Sequence, residues 1–189
     1  MKNITIIVIC FLVLFSCKRK NIYQEAIKEE ISTINSLDDR KTYLNKIYDD
    51  SEGISIKIKE LEKNFLLNKH KVKLLHSKKD SLIFINRLRV NEYLKKFEYP
   101  SDTTTYSKNE KNAIYFAVYY DYKVNEQLKY LSIFDDLYRK GLLDTYSYLS
   151  FLNRIYYLSK SSFFKYDKKH GLEKMIDDIY PEILKLKKK

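Results

Sequence analysis

The residues of this 189-residue chain with the types to do chemistry are three histidines, two cysteines, five carboxylate doublets and one dense run of lysines. Spacing decides what each can do. His70 and His76 stand six apart, whereas two imidazoles share one helix face as zinc ligands when they stand four apart with a Glu between them. His170 stands alone, so no metal site is expected. The doublets are Glu29-Glu30, Asp38-Asp39, Asp49-Asp50, Asp135-Asp136 and Asp177-Asp178. Adjacent positions on a helix diverge by about 100°, so a doublet alone does not aim two carboxylates at one reacting atom. With three glycines in the whole chain there is no phosphate-cradling loop, and no serine sits in a Gly-x-Ser-x-Gly elbow. No catalytic residue and no cofactor is assigned. An exported hydrolase-like enzyme remains the alternative, and it requires Asp121, Arg154 and His170 to converge within hydrogen-bond reach on a cleft wall.

The lysine run is Lys57 to Lys79, where eight Lys and two His face only Glu60 and Glu62. Lys57, Lys71 and Lys78 are spaced by seven or a multiple of it, which on one continuous helix makes a stripe suited to anionic ligands or a phospholipid surface. A solvated helix face is the plainer expectation. The formal charge of the chain is +11. Basic charge with 18 tyrosines is compatible with stacking on nucleic-acid bases. Yet Lys, Asn, Ile, Tyr and Phe are abundant together, as a biased genome produces, and an exported chain is removed from cytoplasmic nucleic acid. No nucleic-acid partner is expected.

Export is written in the first residues. Lys2 is followed by an apolar run from Ile4 to Phe15 broken only by Thr5, then Ser16 and Cys17. That is the layout of an export signal. The run is shorter than the roughly 20 residues of a membrane-spanning helix. Leu14-Phe15-Ser16-Cys17 resembles the lipobox of bacterial lipoproteins, in which a small residue precedes a cysteine that is acylated and becomes the mature N-terminus. The resemblance implies a signal peptide over 1–16, a lipid-bearing Cys17 and a domain held outside the cytoplasm on a membrane of the cell envelope. Two or more acyl chains anchor stably where one does not. The basic tether over 17–20, with Lys18, Arg19 and Lys20, adds attraction to an anionic leaflet. Cys10 leaves with the leader, so no mature thiol remains for a disulfide or a nucleophile.

The elements that must carry these residues are helices. Few glycines and two prolines leave little material for tight turns, so an all-α domain of about six to seven helices is expected over 21–189. Ile54-Ser55-Ile56-Lys57-Ile58-Lys59 alternates with period two, but it lies inside a longer helical pattern. From 21 to 50 the face is Tyr23, Ile27, Ile31, Ile34, Leu44 and Ile47, with Gly53 as a stop. A second helix carries Ile54, Ile58, Leu61, Phe65, Val72 and Leu75 with Asn68 in the seam, ending in a break at Ser77 to Ser81. A third runs from Leu82 to Phe97 and stops at Pro100. Ser101 to Tyr106 reads as a loop, and Ser107 with Glu110 as a capping box. Ala113 to Tyr120 should be the most buried helix. Asp121 to Asn125 bends the chain before a helix from Val124 to Tyr138 that Gly141 terminates. Asp144 caps the next helix, with its stripe Tyr148, Leu152, Ile155 and Leu158, and Ser159 to Ser162 reads as a loop. Leu172 to Tyr180 forms a last short helix that Pro181 interrupts or restarts.

Tyr99-Pro100, the buried helix, Gln127 to Leu131, Gly141 and Asn153-Arg154 together resemble the order of features in an uncharacterised, mostly helical bacterial family. That family shows Trp-Pro, a His-Ala/Ser-Asp after the buried helix, a Gly between two helices and an Asp-Arg. Here Tyr99 replaces the Trp, Tyr120 the His and Asn153 the Asp, while Pro100, Asp121, Gly141 and Arg154 keep their type. The resemblance implies a helical domain and no particular activity. The expected whole is an envelope lipoprotein acting as a non-enzymatic binding module, with the membrane and an envelope protein as its partners. A binder of anionic ligands through Lys57 to Lys79 is the further alternative.

Overall fold

A computed structural model describes residues 22–167 and 169–187. The leader over 1–16, Cys17 and the tether with Lys18, Arg19 and Lys20 lie outside the described residues. The described chain is all-helical, as its shortage of turn residues predicts. Residues 22–32 form α1. Then follow α2 (Leu37–Tyr48), a π-helical turn (Asp49–Gly53), α3 (Ile54–Glu62), α4 (Phe65–Lys96), α5 (Lys108–Tyr119), α6 (Val124–Leu128), α7 (Leu131–Arg139), α8 (Thr145–Lys160) and α9 (Leu172–Lys187).

Local chemistry starts three of these helices. Ser36 and Asp39 close a reciprocal capping box on α2: the Asp39 N–H donates to Ser36 Oγ at 3.0 Å and the Ser36 N–H to Asp39 Oδ2 at 2.9 Å. Ser107 and Glu110 do the same for α5, and Asp144 accepts from the Ser147 N–H at 2.9 Å to start α8. Gly141 ends the stretch after α7 with φ +69, a conformation costly to any side chain. Ser161 is the other left-handed residue among those described, at φ 53, and stops α8.

Elsewhere tertiary contact overrides the local signal. Gly53 does not stop a helix; it sits at φ −58 inside a continuous path in which the π-turn joins α2 to α3. The extra residue of that turn presents Ser51 inward, where Asn86 Nδ2 donates to Ser51 Oγ at 2.9 Å. The expected break at Ser77 to Ser81 is also absent, and α4 runs 32 residues through it. Ser81 bonds back to the Ser77 carbonyl, and Asp80 accepts from Tyr122 Oη at 3.1 Å, so neither is free to cap a new start. The real break falls at Lys63-Asn64. There Asn68 Nδ2 donates to the Leu61 and Asn64 carbonyls at 3.3 Å, which makes it a closure of the turn and not a seam position. The helix expected from Val124 to Tyr138 divides into α6 and α7. Pro181 lies within α9 without ending it.

α2 packs on α5 and α8 on α9, around a core built of Leu44, Ile47, Ile114, Phe134, Phe151 and Ile179, all fully buried. Phe134 meets Phe151 edge to face at 4.8 Å. α5 is deeply buried as expected, with Ala113 and Ile114 at 0 % exposure. α3 and the first half of α4 belong to a separate small cluster of Ile54, Ile58 and Val72 with Leu61, Leu75 and Leu82. These two helices run in opposite directions, as Ser51 beside Asn86 and His76 Nε2 3.3 Å from Glu62 show. They form a hairpin that leaves the body near Lys79 and Asp80.

Candidate functional site

Asp121 is buried and committed to the fold. Its carboxylate takes the Arg87 guanidinium at 3.1 Å and accepts the Lys123 N–H at 2.9 Å, holding the bend after α5. Gln127 reinforces the same bend, donating to the Val118, Tyr119 and Asp121 carbonyls. Arg154, on α8, lies over the Tyr119 ring at 5.0 Å and the Tyr122 ring at 5.9 Å, and its Nη2 reaches the Tyr120 carbonyl at 3.4 Å. His170 sits before α9, with Nδ1 2.8 Å from Asp178 Oδ2. Asp121 and Arg154 therefore flank one bend, but no hydrogen bond or ion pair joins any two of the three. The cleft required of a hydrolase is not assembled from them. Among the described residues no three His, Cys, Asp or Glu groups come together as a metal site.

The bend instead anchors the hairpin. Lys79 Nζ stands 3.9 Å above the Tyr120 ring, and Tyr120 Oη donates to Glu52 at 2.5 Å. Burial first, and then the Arg154 charge, hold the Lys79 ammonium below the usual lysine range. Burial, helped by the Glu52 carboxylate, pushes the Tyr120 phenol above the usual tyrosine range, so it stays a donor. One layer deeper, Arg89 Nη1 donates to Asp50 Oδ2 at 2.7 Å and to Asn86 Oδ1 at 2.9 Å. These groups hold the base of the arm: Arg89, Asp50 and Asn86 bond one another, while Arg89 Nε, 3.6 Å from Glu30, and Arg154 Nε are buried without a hydrogen-bond partner.

Beyond that anchor the hairpin is exposed. Lys57, Lys71 and Lys78 all face solvent. Lys71 and Lys78 lie on α4, while Lys57 lies on α3, which runs the other way, so the predicted single stripe is two helix faces. Lys63, Lys69 and Lys73 add to the same surface. At its end, in the Lys63-Asn64 turn and the first turn of α4, Leu66 is 93 % and Leu67 88 % exposed, with Phe65 at 47 %. The heptad reading placed Phe65 in a seam; the chain reversal puts it at the tip. Sequence reasoning missed this apolar tip, because Phe65-Leu66-Leu67 reads as core until the reversal is known. A shallow groove of about 360 Å³ between Tyr99, Ser132, Asp136 and Lys140 is elsewhere on the body and touches none of these groups.

No family model matches this chain, and no curated protein or solved structure matches it either. The features that resemble a helical bacterial family have structural employment here. Pro100 is buried, Gly141 supplies a positive φ, and Asp121 and Arg154 secure the bend after α5.

Proposed function

We propose that this protein is a bacterial envelope lipoprotein, tethered through acyl chains on Cys17, whose helical domain is a non-enzymatic binding module. The α3–α4 hairpin is its contact arm, and the signal peptide over 1–16 is removed. The observation that carries the binding role is the tip: two leucines about nine-tenths exposed, with exposed Lys63, Lys69, Lys71 and Lys73 near them in the chain. Apolar side chains so exposed at the end of an arm mark a surface that meets something else. None of the described helices is long and apolar enough to cross a membrane. An envelope protein and the membrane itself are the partners in view. Fractionating cells that make the parent or Cys17→Ser tests the tether. The parent should sediment with membranes and the variant should not, and identical fractionation would end the lipoprotein reading.

The exposed lysines of 57–79 favour a second reading, a site for anionic ligands. It predicts binding that weakens steeply as salt rises.

A further inference from the structure

The geometry points to a second membrane contact: we infer that Phe65, Leu66 and Leu67 enter the anionic leaflet that carries the Cys17 acyl chains. The inference rests on the lipoprotein reading and names the lipid surface as the arm's ligand.

Direction is the first argument. Tyr23 meets the Phe84 ring at 6.2 Å, Glu30 lies 3.6 Å from Arg89, and Lys96 Nζ donates to the Ile31 and Ile34 carbonyls at 2.9 Å. As α1 advances from 23 to 31, its neighbours on α4 advance from 84 to 96, so the two run the same way. The beginning of α1 therefore faces the end of the molecule where α4 begins, which is the hairpin tip. A lipid on Cys17 and the tip address one plane from the same side of the body.

Reach is the second. The 18 residues from Leu66 to Phe84 span about 27 Å of helix. The six residues from Cys17 to Tyr23 extend to roughly 20 Å at most. The difference is about the depth of one headgroup layer, 5–8 Å. With Cys17 at the headgroup level the tip lies about that much deeper, at the acyl boundary, and any tilt of α4 from the membrane normal reduces the difference.

Chemistry is the third. The turn presents three adjacent apolar side chains, and Lys63, Lys69, Lys71 and Lys73, all exposed, stand within six residues of them in the chain against exposed Glu60 and Glu62. Apolar groups that enter the acyl boundary beneath cations that stay among phosphates are the arrangement of an interfacial anchor. An apolar protein groove would be met by the same leucines, but it gives no use to four exposed lysines so near them in the chain.

The test uses the full acylated protein reconstituted into vesicles of phosphatidylglycerol and phosphatidylcholine. An environment-sensitive fluorophore is placed at Leu66→Cys or, on the far side of the body, at Tyr146→Cys, which is 69 % exposed. Vesicle flotation reports the tether, and quenching by acyl-chain-brominated lipid reports the tip. At least a twofold loss of fluorescence is expected at position 66 and none at 146, with the loss halved or more when Lys63, Lys69, Lys71 and Lys73 are changed to Gln. Flotation with position 66 open to aqueous iodide and untouched by brominated lipid overturns the inference while leaving the tether standing. A label shielded from both quenchers means protein contact and overturns it too. Failure to float removes the tether reading and this inference together.

Discussion

Buried ionic groups in this protein hold the bend and the arm in place. Arg87 and Asp121 have side chains 11 % and 4 % exposed, so removing one partner strands the other in a low-dielectric site. Arg87→Met should cost about 3–5 kcal/mol in urea denaturation, and adding Asp121→Asn should recover a large part, because the buried charge is then gone. His170 makes a more exposed contact with Asp178, and neither residue carries the fold in that way. The carboxylate of Asp102 shows the opposite extreme. Thr105 and Thr104 hydroxyls and the Thr104 N–H hold it at about 2, although it is open to solvent. Its folded value is below its unfolded one. The loop it closes is thus supported above the ordinary carboxylate range and loses that support as pH falls through the folded value. A carboxyl titration by NMR should place Asp102 below the other exposed aspartates, and Thr105→Ala should move it upward.

Helix ends supply the next set of expectations. Ser107→Ala removes half of the α5 capping box and should cost about 1 kcal/mol, read from thermal unfolding. Burial raises the Glu110 pKa, but the Ser107 backbone and side-chain hydrogen bonds and Asn45 outweigh it and leave it lowered. The contribution is present at neutral pH and fades as acid reprotonates the group. Gly141→Ala meets no neighbour within 4 Å, so its cost comes from φ +69 alone and should be about 1–2 kcal/mol. These termini were legible in the residue string for α5 and α8, where Ser107, Glu110 and Asp144 stand at capping positions. The capping box at Ser36 was equally local and hidden only by Asp39 standing where Glu is usual. The missing break at Ser77 to Ser81 had no local signal. Asp80 and Ser81 have the chemistry of a cap, but Asp80 accepts from the Tyr122 hydroxyl, Ser81 bonds back to the Ser77 carbonyl, and Leu75 and Leu82 on either side pack against α3.

On the scale of the molecule, the body and the arm are built differently. The body has an aromatic core in which Tyr138 stacks on Tyr148 at 4.7 Å and Tyr43 on Tyr93 at 6.1 Å. The arm has three buried apolar residues and a tip of exposed ones. Leu66→Asp should therefore change global stability by less than about 0.5 kcal/mol in denaturant titrations. The all-helical class followed from the sequence alone, because glycine and proline are too scarce to turn a sheet, and so did the loop at 101–106 and the burial of α5. The readings of Cys17 and the leader are likewise drawn from sequence pattern. Tertiary structure decided the rest. Apolar periodicity is the same for a helix that continues and for one that folds back, so Phe65-Leu66-Leu67 became an exposed tip only once the chain reversed. Charge is the same in either case too. Lys57 was parted from Lys71 and Lys78, and Asp121 was given to Arg87, because packing chose which faces meet and no spacing along the chain encodes that choice.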